Sequence, residues 1–159
     1  MNGCPVVNTE RLSPDHFEAV ANLFAAFAAD PTASRFHPHE FSAAEALKIA
    51  NHTGLDIYLG MWVDGALQGY GMLRGFDAGF AVPSLGIYVC PPARGTGHAR
   101  ALMLALHDAA RAAGAHQVRL KVYPDNTRAI GLYESLGYRF VAEEAGQRVG
   151  LIDLQAGPN

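Results

Sequence analysis

Two hydrophobic periods alternate along this chain, and each change of period marks an element. From Pro14 to about Ala29, the residues Phe17, Val20, Leu23, Phe24 and Phe27 recur at three- and four-residue spacing, which places them on one face of a helix. Ser13-Pro14-Asp15 opens it as N-cap, first helical residue and first-turn acid, and Asp30-Pro31 stops it. Ser42-Ala43-Ala44-Glu45 has capping-box spacing and starts a shorter helix to about His52, closed by Gly54. Before these, Val6-Val7 through Leu12 reads as an edge strand. From Asp56 the pattern turns to strands. Ile57 to Trp62 is one, Val63-Asp64-Gly65-Ala66 carries a hairpin signal, and Leu67 to about Phe76 returns. After a turn at Asp77-Ala78-Gly79, Pro83 to Val89 completes an antiparallel meander, with Met61, Trp62 and Met72 as core or sheet-face packing.

Helical spacing resumes near Gly97 and runs through Leu102, Leu106 and Ala109 to Ala113, with Gly114 as its stop. His116 to Tyr123 alternates as a strand. Pro124-Asp125-Asn126 ends that strand and caps a helix from Thr127 to Leu136, with Gly137 beyond it. Tyr138 to Ala142 and Gln147 to Leu154 form a closing hairpin. The predicted order is β-α-α-β-β-β-α-β-α-β-β. The strand, helix and strand at 85–89, 97–113 and 117–123 make one right-handed crossover, parallel in that pair and antiparallel elsewhere.

Composition narrows the class. Of 159 residues, half are hydrophobic and 17% charged, enough for a real core and against a disordered chain. A formal charge of −3 without any basic run argues against nucleic acid as a partner. Cys4 and Cys90 suggest neither a disulfide framework nor a zinc site. No apolar run approaches the roughly 20 residues of a membrane span, and the start of the chain lacks a charged region followed by an apolar one. The expectation is a cytoplasmic chain with no membrane partner.

The chemistry concentrates in Val89-Cys90-Pro91-Pro92-Ala93-Arg94-Gly95-Thr96-Gly97-His98-Ala99-Arg100. Prolines forbid both helix and ladder after the buried strand, and glycines lead directly into the next helix. Glycines allow close approach of the backbone, and the unpaired N–H groups of a first helical turn attract an anion such as phosphate. A P-loop would need Gly-Lys, which is absent. A Rossmann fingerprint starting at Gly95 would need glycine where Arg100 stands.

A third pattern, [R/Q]-x-x-G-x-[G/A], is met by Arg94-Gly95-Thr96-Gly97-His98-Ala99. Downstream, Asp125-Asn126-Thr127-Arg128-Ala129-Ile130-Gly131-Leu132-Tyr133-Glu134-Ser135-Leu136-Gly137-Tyr138 matches N-x-x-A-x-x-x-Y-x-x-x-G-[FY]. With both motifs in order and one strand between them, the chain resembles the GNAT superfamily of acyl-CoA-dependent N-acyltransferases over roughly residues 55 to 142. The resemblance implies an α/β (α+β) fold in one domain over residues 1–159. It has a mixed, mostly antiparallel sheet of six to seven strands, a central parallel splayed pair and about four helices.

The resemblance also assigns roles. Acetyl-CoA would be the co-substrate, with no metal. Its pyrophosphate would lie on the amides of Gly95, Thr96, Gly97, His98, Ala99 and Arg100, with Arg100 adding charge and Arg94 bracing the loop. A bulge would part the two strands flanking the crossover helix. The pantetheine arm would lie in that gap, bonding like a strand to Ile87, Tyr88 and Val89. The Val89 N–H would polarise the thioester carbonyl. Asn126 would reach the pantetheine, and Tyr133, two helical turns along, would act as general acid toward the leaving thiolate.

The proton acceptor stays open. The inner strand Ser84 to Val89 has no carboxylate, and Arg119 and Lys121 occupy the strand beyond. His37, His39, Glu40 and Asp77 are the substrate-side candidates. His37-Pro38-His39-Glu40 has no third strong ligand, which argues against a metal site; it reads instead as a substrate-contacting loop. The expected reaction moves acetyl onto a primary amine of a small molecule by direct attack in a ternary complex. A protein or peptide N-terminal acetyltransferase and a non-catalytic CoA-binding sensor or interaction module are the alternatives. Relatives often dimerise through sheet edges or closing hairpins, so a homodimer is one option, but the sequence leaves oligomeric state open.

Overall fold

A computed structural model of the chain describes residues 6–30, 40–90 and 97–154. Its elements follow the predicted order: β1 (Val7–Arg11), α1 (Phe17–Ala28), α2 (Ala43–Ala50), β2 (Ile57–Val63), β3 (Ala66–Arg74), β4 (Ser84–Val89), α3 (His98–Ala112), β5 (Gln117–Val122), α4 (Thr127–Leu136), β6 (Arg139–Glu144) and β7 (Gln147–Asp153). One seven-stranded sheet holds all the strands in the order β1-β2-β3-β4-β5-β7-β6. Among the described residues only β4 and β5 run parallel. Among the described residues no helix is long and apolar enough to cross a membrane.

The boundaries follow local chemistry. Pro14–His16 forms a tighter 3₁₀ turn before α1 begins. There His16 Nδ1 accepts the Ser13 N–H at 3.0 Å, the reach-back that Glu makes in a capping box. Ser42 Oγ caps α2 by accepting the Glu45 N–H at 3.1 Å. Asp64 and Gly65 both take positive φ, 51° and 85°, the hairpin geometry whose twist suits the flanking strands. β3 ends at Arg74, two residues short of the predicted Phe76, because Gly75 turns to φ 118°.

Helices cover both faces of the sheet. On one, Val20, Leu23, Phe24 and Phe27 of α1 and Ile49 of α2 pack on Tyr70, Met72 and Tyr88. On the other, Leu102, Met103 and Leu106 of α3 join Val118, Leu120, Ile130 and Tyr133. Here α3 lies tight on β3. A Cβ built on Gly71 would stand 2.7 Å from Leu106 Cδ1, so glycine is what permits the approach.

β4 has two unlike neighbours. Against β3 it runs six consecutive residue pairs, from Arg74–Ser84 to Gly69–Val89. Against β5 it makes one, Ser84–Arg119, supported by the Arg119 N–H to Pro83 carbonyl bond at 3.0 Å. Beyond that point the strands part. The splay agrees with the expectation, but its expected cause does not. The β3–β4 register is unbroken from Ser84 to Val89, so no bulge opens the gap. The register shifts lie elsewhere, at Met61/Trp62 and at Phe140/Ala142. With β4 regular against β3, the gap comes from β5 leaving its side, not from a kink within β4.

Candidate active site

The parting strands leave a cleft of about 1200 Å³. Antiparallel ladders alternate paired and unpaired positions. The Cys90 N–H bonds the Gln68 carbonyl at 2.8 Å, which makes Tyr88–Tyr70 and Gly86–Met72 the bonded pairs. The peptide groups of Leu85, Ile87 and Val89 therefore turn the other way, toward β5. Leu85 sits at the single β4–β5 ladder pair, which leaves Ile87, a residue of the cleft lining, facing the opening. Of the three consecutive strand residues expected to bind a ligand, Tyr88 instead spends its peptide groups on β3.

The far wall carries the motif residues of α4. Asn126 is the N-cap, and its Oδ1 accepts the Ala129 N–H at 3.3 Å. Both Asn126 and Tyr133 line the cleft. Tyr133 is only 8% exposed, and burial pushes its phenol up to about 12, so it keeps its proton at any physiological pH. Behind it Tyr138 packs ring against ring, 5.8 Å between centroids, and shares a 2.7 Å hydrogen bond with buried His107. Burial, ahead of the nearby Arg111 charge, lowers His107 to about 4 and keeps that imidazole neutral. Burial also raises Tyr138, with Tyr133 adding to it.

At the start of α3, Gly97 takes φ 84° as N-cap with open space around its Cα. His98 is buried, Ala99 packs against the core, and Arg100 is exposed. The Arg100 guanidinium donates to Ser135 Oγ on α4 at 2.6 Å, tying the two helices together beside the cleft. Arg94, Gly95 and Thr96 lie outside the described residues, as do His37 and His39.

Of the remaining candidates, Asp77 lines the cleft and Glu40, exposed, does not. The Leu55 N–H, with smaller help from Asp56 and His52, holds the Asp77 carboxyl below the usual carboxylate range. His52 Nε2 stands 3.2 Å from Asp77 Oδ2 at ion-pair distance, yet out of line for a hydrogen bond. Asp56 completes a reciprocal clamp by accepting the Gly75 and Asp77 N–H groups at 2.9 and 3.0 Å. This fixes the loop between β3 and β4, whose Phe80 is 66% exposed at the cleft wall. His52, Asp56 and Glu144 carry no sequence motif. Their partners are 19 to 25 residues distant in the chain, and only the sheet order brings them together. No group of three His, Cys, Asp or Glu side chains that could hold a metal forms among the described residues.

Residues 19–138 match the model of the acetyltransferase (GNAT) family. No curated protein matches the sequence significantly. Solved structures with the same fold include yncA from Salmonella typhimurium, a putative acetyltransferase held with its cofactor acetyl-CoA. It is 21% identical, with 94% of each chain covered and a TM-score of 0.73. A spermidine N-acetyltransferase chimera from Vibrio cholerae and hSSAT is 19% identical, covering 93% of this chain and 95% of its own at a TM-score of 0.75. A ribosomal-protein alanine N-acetyltransferase from Escherichia coli is 20% identical, covering 97% and 98% at a TM-score of 0.71.

Proposed function

The chain belongs to the GNAT acetyltransferase family, and from that premise we propose that it moves acetyl from acetyl-CoA onto a primary amine of a small-molecule acceptor, by direct attack in a ternary complex. The observation that carries the reading is the one-sided pairing of β4: Ile87 turns its peptide groups to a cleft whose other wall holds Asn126 and Tyr133. An extended pantetheine amide chain fits such an edge as a substitute strand. Gly97, His98, Ala99 and Arg100 stand at the α3 N-terminus, where N–H groups of the first turn suit its pyrophosphate.

In this reading the Val89 N–H polarises the thioester carbonyl, a contribution of roughly 3 kcal/mol where such donors have been removed from other enzymes. The amine nitrogen forms the new bond to the acetyl carbon while the carbon–sulfur bond breaks. Tyr133 gives its proton to the departing sulfur. A phenol held near 12 is a weak acid for an ordinary thiolate. A sulfur seated against the same buried side chain has its own proton affinity raised, which narrows the gap. The amine sheds its own proton to Asp77 or to water. Asp77, held low by the Leu55 N–H, serves as a station on the way to water more readily than as a strong base.

Acetylation of a peptide N-terminus is the second reading, supported by the likeness to the ribosomal-protein acetyltransferase. Release of free thiol from acetyl-CoA, followed against small amines and against short peptides, separates the two. Turnover with small amines is expected to fall about 100- to 1000-fold in Tyr133→Phe, with CoA affinity retained. Turnover with peptides alone would overturn the small-molecule assignment. Tight CoA binding without turnover of any acceptor would leave a CoA-binding module.

A further inference from the structure

We infer that the acceptor carries a carboxylate beside its amine, and that a row of cations across the sheet selects it. The inference rests on the acetyl-transfer reading above and adds the acceptor's second functional group. Sheet register aligns Arg74 with Ser84 and Ser84 with Arg119, so the three residues stand abreast at the last point where β4 and β5 touch. Paired residues share a face. This is the face of Met72 and Tyr88, under α1 and α2, not the face of the α3 core. With strands about 4.8 Å apart, the two arginine positions lie about 10 Å apart with a hydroxyl between them. Lys121, two residues along β5, stands on the same face, and all four line the cleft.

Two carboxylates, Asp56 and Asp77, also line the cleft, at the loop between β3 and β4. Asp56 holds the amides of Gly75 and Asp77, and Asp77 holds the amide of Leu55. Glu144 alone serves two cations, at 2.8 Å from Arg119 and 3.3 Å from Lys121. One carboxylate between two cations leaves that trio net positive beside the cleft. Arg119 has five N–H donors in a planar fork, a shape that matches a second carboxylate. On the β5 side of the cleft a polyamine meets like charge. An amino acid, placing its carboxylate on Arg119, Lys121 and Ser84, meets opposite charge and leaves its amine to point into the opening between the strands.

The test compares amino acids with their carboxamides, which keep the amine and side chain and lose only the charge. Turnover of acetyl-CoA is measured for each pair. Equilibrium binding of the matching N-acetyl acids and N-acetyl amides to the CoA-bound protein is measured alongside. Acids are expected to exceed amides at least tenfold in kcat/KM and in affinity. Arg119→Gln is expected to erase most of that preference, chiefly through KM. Glu144→Gln breaks the same ion pair but keeps both cations, so it is expected to preserve the preference and controls for damage to the β5 edge. Equal handling of acids and amides by the unaltered protein would overturn the inference while acetyl transfer stands. So would a preference untouched by Arg119→Gln. Selective binding of acids without turnover of any amine would uphold the carboxylate site and overturn the transfer reading instead.

Discussion

β4 meets its two neighbours in opposite ways, and the contrast explains how a sheet becomes a binding site. On the β3 side six pairs close the seam. Glycines at 69 and 71 let Met61 and Leu106 press against the backbone there. On the β5 side one pair holds and then the seam opens. The same strand thus offers one row of peptide groups to its fold and turns the alternate row away from it, toward β5. Sealing both seams would make a more continuous sheet with no place for an extended ligand. Opening both would leave β4 without support. A strand fixed on one side presents polar groups with little freedom to lose on binding, which is the benefit of preorganisation.

Proline substitutions at adjacent positions break this contrast most directly, because each removes one N–H. Tyr88 pairs with Tyr70 inside the closed seam. Tyr88→Pro removes a ladder hydrogen bond and a buried ring, so it is expected to cost ~3 kcal/mol or more and to leave little folded protein by thermal melting. Ile87 directs its N–H to the open side. Ile87→Pro is expected to retain a cooperative melt while losing CoA binding, read by calorimetry. If Ile87→Pro unfolded the chain as completely as Tyr88→Pro, the two seams would not differ as described.

Much of this contrast was legible in the sequence, though unevenly. The hydrophobic periods place every element, and the strand order around the crossover follows from chain direction. The parting of β4 and β5 came from family resemblance, and its supposed bulge was wrong. A register is set by pairs far apart in sequence, so nothing in Ser84–Val89 alone reports whether the strand is kinked. Asn126 and Tyr133 were visible because seven residues on one helix is a local spacing. The Asp56–Asp77 clamp and the sharing of Glu144 by Arg119 and Lys121 were not, since each joins separate strands or loops. The substitution of His16 for a capping acid was missed for another reason: imidazole is rarely read as a helix-start acceptor.

Behind the closed part of the molecule, His107 offers a pH test of intermediate size. It is 2% exposed and its folded pKa is about 4, below the ordinary 6.5. The unfolded chain therefore binds the proton first. Stability is complete above about pH 6.5, falls as pH drops from there to about 4, and loses nothing further from this group below that. The expected loss is on the order of 3 kcal/mol, several degrees of Tm. The difference between melts of the unaltered protein and of His107→Gln across that window isolates it. A flat difference would mean that the imidazole is not held neutral against Tyr138.

The smallest expected effect falls at the rim of the open seam, where Asn126 serves two purposes. Its Oδ1 caps α4, the residue lines the cleft, and its amide nitrogen takes no part in the cap. Asn126→Ala removes both and is expected to cost about 1 kcal/mol of stability as well as CoA affinity. Asn126→Asp keeps an acceptor for the Ala129 N–H, and places a negative charge at the helix start where it is favoured. Its Tm should match or exceed that of the unaltered protein. What it loses is a donor, worth about 0.5–1.5 kcal/mol or roughly 2- to 12-fold in KM for acetyl-CoA. A raised KM with an undiminished Tm would separate the ligand contact from the cap. An unchanged KM in Asn126→Asp would leave Asn126 a cap alone, and would confine ligand contacts on that wall to Tyr133.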